Sequence, residues 1–194
     1  MKGVSALQAL FTLTPAESKR LIGKGIAALP EVQNAKKNGY LLVSRGSTTA
    51  YCLEEILGEK VAKERYLAGQ TIRGVLCVLD AGERAKPVTF HKGDVLPVEP
   101  NTVADKLGPG DVLLKGGNAL DAFGNVGVLM ANPAGGTMGA FYMGMKARGL
   151  EIVEAALAVT PVLEGEGQAI CRCFQQGDHF WRGPGAIKSN IYNT

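Results

Sequence analysis

The sequence predicts an α/β fold, with a layered, mostly parallel sheet flanked by helices. Three observations carry that expectation. Short apolar runs that read as strands alternate with segments of helical period, as in strand–helix–strand units. The inner runs are apolar without alternation, as in strands covered on both faces. Eleven of the 26 glycines fall between Gly108 and Gly149, where they punctuate a strand–loop–strand–loop–helix pattern and free the backbone to approach a ligand.

In chain order, Thr14-Pro15-Ala16-Glu17 predicts a helix start. Thr14 caps, Pro15 fits the first turn, and Glu17 stands at the capping-box position. Leu21, Ile22, Ile26 and Leu29 follow at helical spacing as one buried face, and Pro30 limits the helix. Gly39–Val43 reads as a buried strand running into the turn Ser44–Thr49, then a helix over Ala50–Leu57 that ends at Gly58. Thr71–Leu79 is a second β-rich run, interrupted by Gly74. Short strands are expected near Pro87–Phe90 and Asp94–Val98, with His91 solvated in the loop between them. Pro100-Asn101-Thr102 opens a short helix, Val103–Leu107. The glycine-rich stretch then reads as strand (Asp111–Lys115), tight Gly116-Gly117 loop, short turn, strand (Asn125–Ala131), glycine loop and helix (Thr137–Arg148). The expected organisation is a core over 1–157 and an irregular tail over 158–194, which holds the only tryptophan, Trp181.

Composition narrows the function classes. With 46% hydrophobic and 20% charged residues, the chain reads as one globular domain. A net charge of +3, from basic residues that form no stripe, argues against nucleic acid. No apolar run is long enough for a membrane span. Residues 3–13 faintly suggest a signal peptide, but Gln8 interrupts the run and no small-residue cleavage site follows, so the expectation is cytoplasmic. Cys52 and Cys77 read as small buried thiols, in keeping with a reduced compartment. Cys171, Cys173 and His179 supply too few ligands for zinc, at an unusual spacing, so neither metal nor cofactor is expected.

Two loops carry the functional reading. A strand, a Gly-Ser-Thr turn and a helix place backbone N–H groups and hydroxyls around a phosphate or carboxylate. This selects Arg45, Gly46, Ser47, Thr48 and Thr49 as ligand-binding. In the plainer reading, Gly46 only makes the turn and Ser47 or Thr48 only caps the helix. The second loop offers Lys115 as a cation, the Gly116 and Gly117 backbone, Asn118 as a hydrogen-bonding group, and Asp121 as a proton carrier. Gly135, Gly136 and Thr137 open the last helix and complete the binding set. Both loops follow strands, and ligands gather beyond strand carboxyl ends, so the loops are expected to meet in one crevice.

Taken together, these motifs resemble a superfamily that includes ribose-5-phosphate isomerase, glucosamine-6-phosphate deaminase, the CoA transferases and the translation-initiation-factor-2B-like isomerases. Arg45-Gly46-Ser47-Thr48 looks like its phosphate turn, and Gly116–Asp121 looks like its Gly-Ala-Asp-Glu motif. Ala134–Gly139 looks like its glycine segment entering a helix. The likeness covers roughly residues 14–150. It implies a phosphorylated small-molecule ligand, isomerase-like or CoA transferase-like chemistry, and a homo-oligomer. Two departures stand out. Asn118 occupies the acidic position, and Thr137–Tyr142 lacks the Glu-Lys pair of the isomerases. Asp121 and Lys115 remain as catalytic candidates, because isomerisation needs a group that takes and returns a proton. The readings are therefore a sugar-phosphate enzyme, a non-catalytic ligand-binding or sensor protein of the same fold, and glycines that serve packing alone.

Overall fold

A computed structural model describes residues 12–72, 75–96, 98–121, 126–130, 133–156, 161–162 and 179–181. Helix α1 (Pro15–Ala27) begins with the capping box the sequence encodes: Thr14 N–H donates to Glu17 Oε2 at 2.7 Å, and Glu17 N–H donates to Thr14 Oγ1 at 3.3 Å. Its inward stripe runs through Ile22, Gly23 and Ile26, whereas Leu21 is 55% exposed. Leu21 sits about 100° around the axis from Ile22, so it leaves the expected buried face. Pro30 opens a helix rather than only ending one. Helix α2 (Pro30–Asn38) carries it at the first turn, where a missing N–H is harmless.

Strand β1 (Tyr40–Val43) feeds α3 (Ser47–Leu57), which ends at Gly58 in the left-handed conformation, φ 78°. The Thr71–Leu79 run is not one strand. β2 (Gly69–Ile72) and β3 (Val75–Val78) fold back as a separate antiparallel ribbon, with Gly74 outside the described residues. Cys77 is exposed there, contrary to the buried thiol expected; Cys52, on α3, is buried. β4 (Val88–His91) and β5 (Asp94–Leu96) form a hairpin across Lys92 and Gly93, both at positive φ as a two-residue turn requires. His91 ends β4 with its ring stacked 4.0 Å from Tyr40, not solvated in a loop. A 3-10 segment (Pro100–Lys106) precedes β6 (Val112–Gly117), β7 (Ala119–Asp121) and β8 (Val126–Met130). α4 (Gly136–Arg148), β9 (Glu151–Ala156), β10 (Pro161–Val162) and β11 (His179–Trp181) complete the described elements.

The main sheet has five strands in the order β5-β4-β1-β6-β9. β1, β6 and β9 pair in parallel, while β4 pairs antiparallel with both β1 and β5, so the sheet is mixed rather than mostly parallel. β6 continues straight through Gly116 and Gly117, which pair with Ala155 and Ala156 of β9; the expected Gly-Gly loop is strand. Cross-strand pairing with β9 supplies the backbone partners that local glycine propensity argues against. A second sheet, β10-β7-β8-β11, draws two short pieces of the C-terminal region onto β7 and β8. Cys171 and Cys173 lie outside the described residues. No helix among the described residues is long and apolar enough to cross a membrane.

Strand alternation divides the core. Leu41, Val43, Val112, Leu114 and Ala155 face α1–α3, packing with Ile26, Val32, Ala35, Leu53 and Ile56. Leu42, Leu113 and Ile152 face the other way, against Val103, Leu107, Val128, Met138 and Phe141. At the edge of the first layer, the buried Tyr66 hydroxyl donates to Val43 O at 2.6 Å and accepts from Val88 N–H at 3.0 Å, tying β1 to β4. Burial pushes the phenol well above its usual range. Tyr66→Phe is expected to cost about 1–3 kcal/mol, because it strands a buried carbonyl and a half-buried N–H together. Urea unfolding monitored by circular dichroism measures this; a loss within about 0.5 kcal/mol, the size of a surface substitution, would contradict it.

Candidate functional site

β1 ends beside Leu114 of β6, so the turn after β1 lies next to Lys115, where the second stretch singled out in the sequence begins as strand and not as a loop. Ser44 N–H donates to Leu114 O at 2.9 Å, extending the Val43–Leu114 register one step, to Ser44 beside Lys115. Lys115 in turn pairs with Glu154 of β9. Residues in register on adjacent strands share a face. Ser44, Lys115 and Glu154 therefore form one row across three strands, one step beyond the apolar row of Leu42, Leu113 and Ile152. Thr89 of β4, in register with Leu42, adjoins that apolar row.

This row is chemically unusual. Ser44 is 4% exposed, Thr89 0% and Glu154 5%. Ser44 Oγ, Thr89 Oγ1 and Glu154 Oε2 are all buried without a hydrogen-bond partner among the described residues. Buried polar atoms are nearly always paired, since leaving one unpaired costs about 1–3 kcal/mol. Three on one face, around a half-buried lysine, make this row the candidate site. Lys115 Nζ donates to Gly116 O at 2.7 Å. Desolvation lowers its pKa to about 8, against the opposing pull of Glu154. Burial raises Glu154 to about 7, with Lys115 pulling the other way. Each group thus sits near neutral pH, where a proton carrier works best.

The Gly-Ser-Thr turn lies at the same edge. Gly46 occupies the N-cap position of α3, and no side chain caps the helix. Thr49 Oγ1 donates to Ser44 O at 2.7 Å, with Gly46 O at 3.0 Å, so this hydroxyl stabilises the turn. A Cβ at Gly46 would stand 2.9 Å from Thr49 Oγ1, which explains the glycine locally. Arg45 is engaged by the protein: Nε donates to Ala85 O at 2.7 Å, and Nη2 lies 3.8 Å from Glu99. Thr48 is buried and Ser47 half-buried, so Ser47 is the accessible hydroxyl of the turn. Neither Ser47 nor Thr48 caps α3, against the plainer reading.

The remaining candidates divide. A Cβ at Gly116 meets nothing within 4 Å, so packing does not demand glycine there. Asn118 is exposed in the bend after β6, and its N–H donates to Gly127 O at 2.8 Å. Asp121 ends β7; its side chain, like that of His179, lies outside the described residues. Gly135 and Gly136 take φ of 77° and 54°, and a Cβ at Gly139 would lie 1.8 Å from Ala134 O. These glycines shape the turn into α4. Thr137 is half-buried beside them, and Met138 and Phe141 pack onto Leu42, Leu113 and Ile152.

Sequence reading overlooked Glu154, Thr89 and the side chain of Ser44. Glu154 had a signal, as a carboxylate inside the apolar run Ile152–Ala156 directly after the last helix. Ser44 and Thr89 carried none, since their isolation follows from pairing across strands. A surface depression of about 440 Å³ lies at the opposite edge, lined by Gln33, Lys36, Asn38 and Gly93 among others. Its Lys36 is committed to Ile56 O at 2.6 Å. No protein-family model, curated protein or solved structure matches the chain.

Proposed function

We propose that the carboxyl edge of β1, β6 and β9 binds a phosphorylated small metabolite of the sugar-phosphate kind and moves a proton within it. The observation that carries this reading is the row Ser44–Lys115–Glu154, with buried oxygens that have no partner among the described residues and two proton carriers placed near neutrality. The start of α3 offers the Ser47 and Thr48 N–H groups and the Ser47 hydroxyl to the anionic end, while the Gly46 N–H is already given to Tyr66 O at 2.9 Å. Lys115 and Glu154 stand at the reacting end. Glu154 takes the role left open by Asn118, with Asp121 as a second carrier from β7. The likeness of the two loops to the sugar-phosphate isomerases supports the same assignment of ends. In this reading the protein is cytoplasmic, works as a homo-oligomer, and is an isomerase-like enzyme.

The test is a thermal-stability screen against sugar phosphates, nucleotides, CoA esters and free phosphate. A ligand at 100 times its dissociation constant adds about 2.7 kcal/mol to the native state. The expected result is a shift with sugar phosphates that Ser47→Ala weakens and Lys115→Met removes. A shift without turnover of any panel member would make the protein a binding or sensor protein. A flat panel would leave the glycines with a packing role alone.

A further inference from the structure

We infer that Lys115 forms an imine with the carbonyl carbon of its substrate, with Glu154 and Ser44 serving that step from either side. This deepens the site reading above and rests on it. The geometry gives Lys115 one neighbour on each flank of the row. Ser44 directly follows β1 and Glu154 lies on β9, each more than nine-tenths buried and each with an oxygen that has no partner among the described residues. Such a flanked lysine suits carbonyl chemistry better than a serine nucleophile. A nucleophile and its base should share a hydrogen bond, but Lys115 Nζ donates to Gly116 O and Ser44 Oγ has no partner among the described residues. A lysine drawn partly out of water holds a usable fraction of neutral amine, the form that attacks carbonyls.

The Nζ lone pair adds to the carbonyl carbon; the C–N bond forms as the carbonyl π bond opens. One amine proton passes to the oxygen, giving a carbinolamine whose hydroxyl accepts a hydrogen bond from Ser44. Glu154 then donates its proton to that hydroxyl, the C–O bond breaks and water leaves, with the nitrogen lone pair closing the iminium. Glu154, now a carboxylate beside the cation, is placed to remove the proton from the adjacent carbon, which the iminium has acidified. Glu154 then returns that proton to carbon and restores the iminium; one water adds to it, giving its proton to the Glu154 carboxylate, and the carbinolamine collapses to the carbonyl and free Lys115. No oxidant, reductant or further reactant enters.

Reductive trapping tests the inference on the full-length chain. Dihydroxyacetone phosphate and ribose 5-phosphate serve as carbonyl probes, with sodium cyanoborohydride delivering hydride to the iminium carbon. Intact mass then counts adducts, and peptide mapping locates them. The expected result is a single adduct on Lys115, formed about a hundredfold more slowly in Glu154→Gln because the proton donor is gone. Lys115→Arg should carry none, and mapping of the unaltered chain reads the site even if that variant fails to fold. Adducts spread over surface lysines, or a Glu154→Gln rate equal to that of the unaltered chain, would overturn the imine. A sugar-phosphate thermal shift without any adduct would overturn it too, while leaving the binding site standing. Neither shift nor adduct would take down both.

Discussion

Glu54→Ala is expected to lower unfolding free energy by about 3 kcal/mol at neutral pH. Glu54 lies on α3 with its side chain 7% exposed, and it gathers Arg20 of α1, Lys63 and the Val61 N–H, the last at 3.0 Å. Arg20 also reaches Glu55 at 2.7 Å and lies 4.7 Å from the Tyr51 ring centroid, with Lys63 at 5.0 Å from the same centroid. Removing one partner of a buried pair costs about 3–5 kcal/mol because the other charge stays buried. The low end applies here, since Arg20 and Lys63 are 35% and 29% exposed and regain water. For a chain of this size the melting point should fall by about 6–12 °C. Burial pushes the Glu54 carboxyl upward, but the Lys63, Val61 and Arg20 hydrogen bonds hold it at about 2. Its unfolded value is about 4.3, so this stabilisation is full above that pH and is lost as pH falls towards 2. A melting profile from pH 6 to 2 in which Glu54→Ala and the unaltered chain lose stability in parallel would refute the assignment.

Glu154→Leu is expected to act in the opposite sense, raising stability at neutral pH by about 1–2 kcal/mol while ending ligand response and turnover, because burial disfavours its carboxylate more than Lys115 favours it. Glu154 is raised to about 7 in the folded protein, against about 4.3 unfolded. Between those values the folded state holds a proton that the unfolded chain has released, so stability falls as pH rises. Lys115 is lowered to about 8, against about 10.4 unfolded. Between those values the unfolded chain holds the extra proton, so stability falls again as pH drops from the upper value to the lower. The pair thus weakens the protein most between about pH 7 and 8, where both are charged. In Glu154→Leu the fall between pH 4 and 7 should flatten, because the group that releases the proton is gone. A variant that is less stable at pH 7.5, or that keeps the acid leg of the profile, would show Glu154 to be structural.

Much of the frame was legible because it is local. The Thr14–Glu17 capping box, the unbroken apolar run of β1 and the left-handed Gly58 closing α3 each depend on residues within a few positions of one another. The same holds for the placing of a Gly-Ser-Thr turn after a strand. Where neighbours decide the outcome, local reading failed. Gly116 and Gly117 look like a loop, yet β9 supplies their backbone partners and makes them strand. Leu21 belongs to an apolar list but misses the stripe that α3 covers. β4 and β5 gave no sign of direction, because antiparallel and parallel strands draw on the same residue types.

The candidate site divides along the same line. The sequence by itself determined that a cation, glycines and hydroxyls end two strands, and that ligands belong at such ends. Only the tertiary structure decided which carboxylate faces Lys115. Glu154 is 39 residues further along the chain, and it reaches the lysine solely through the parallel register of β6 and β9. The isolation of Ser44 and Thr89 is likewise a property of packing, since no pattern in one strand says whether its neighbour will offer a partner. Hydrogen-bond satisfaction is settled across the sheet, by strands that come together only in the fold.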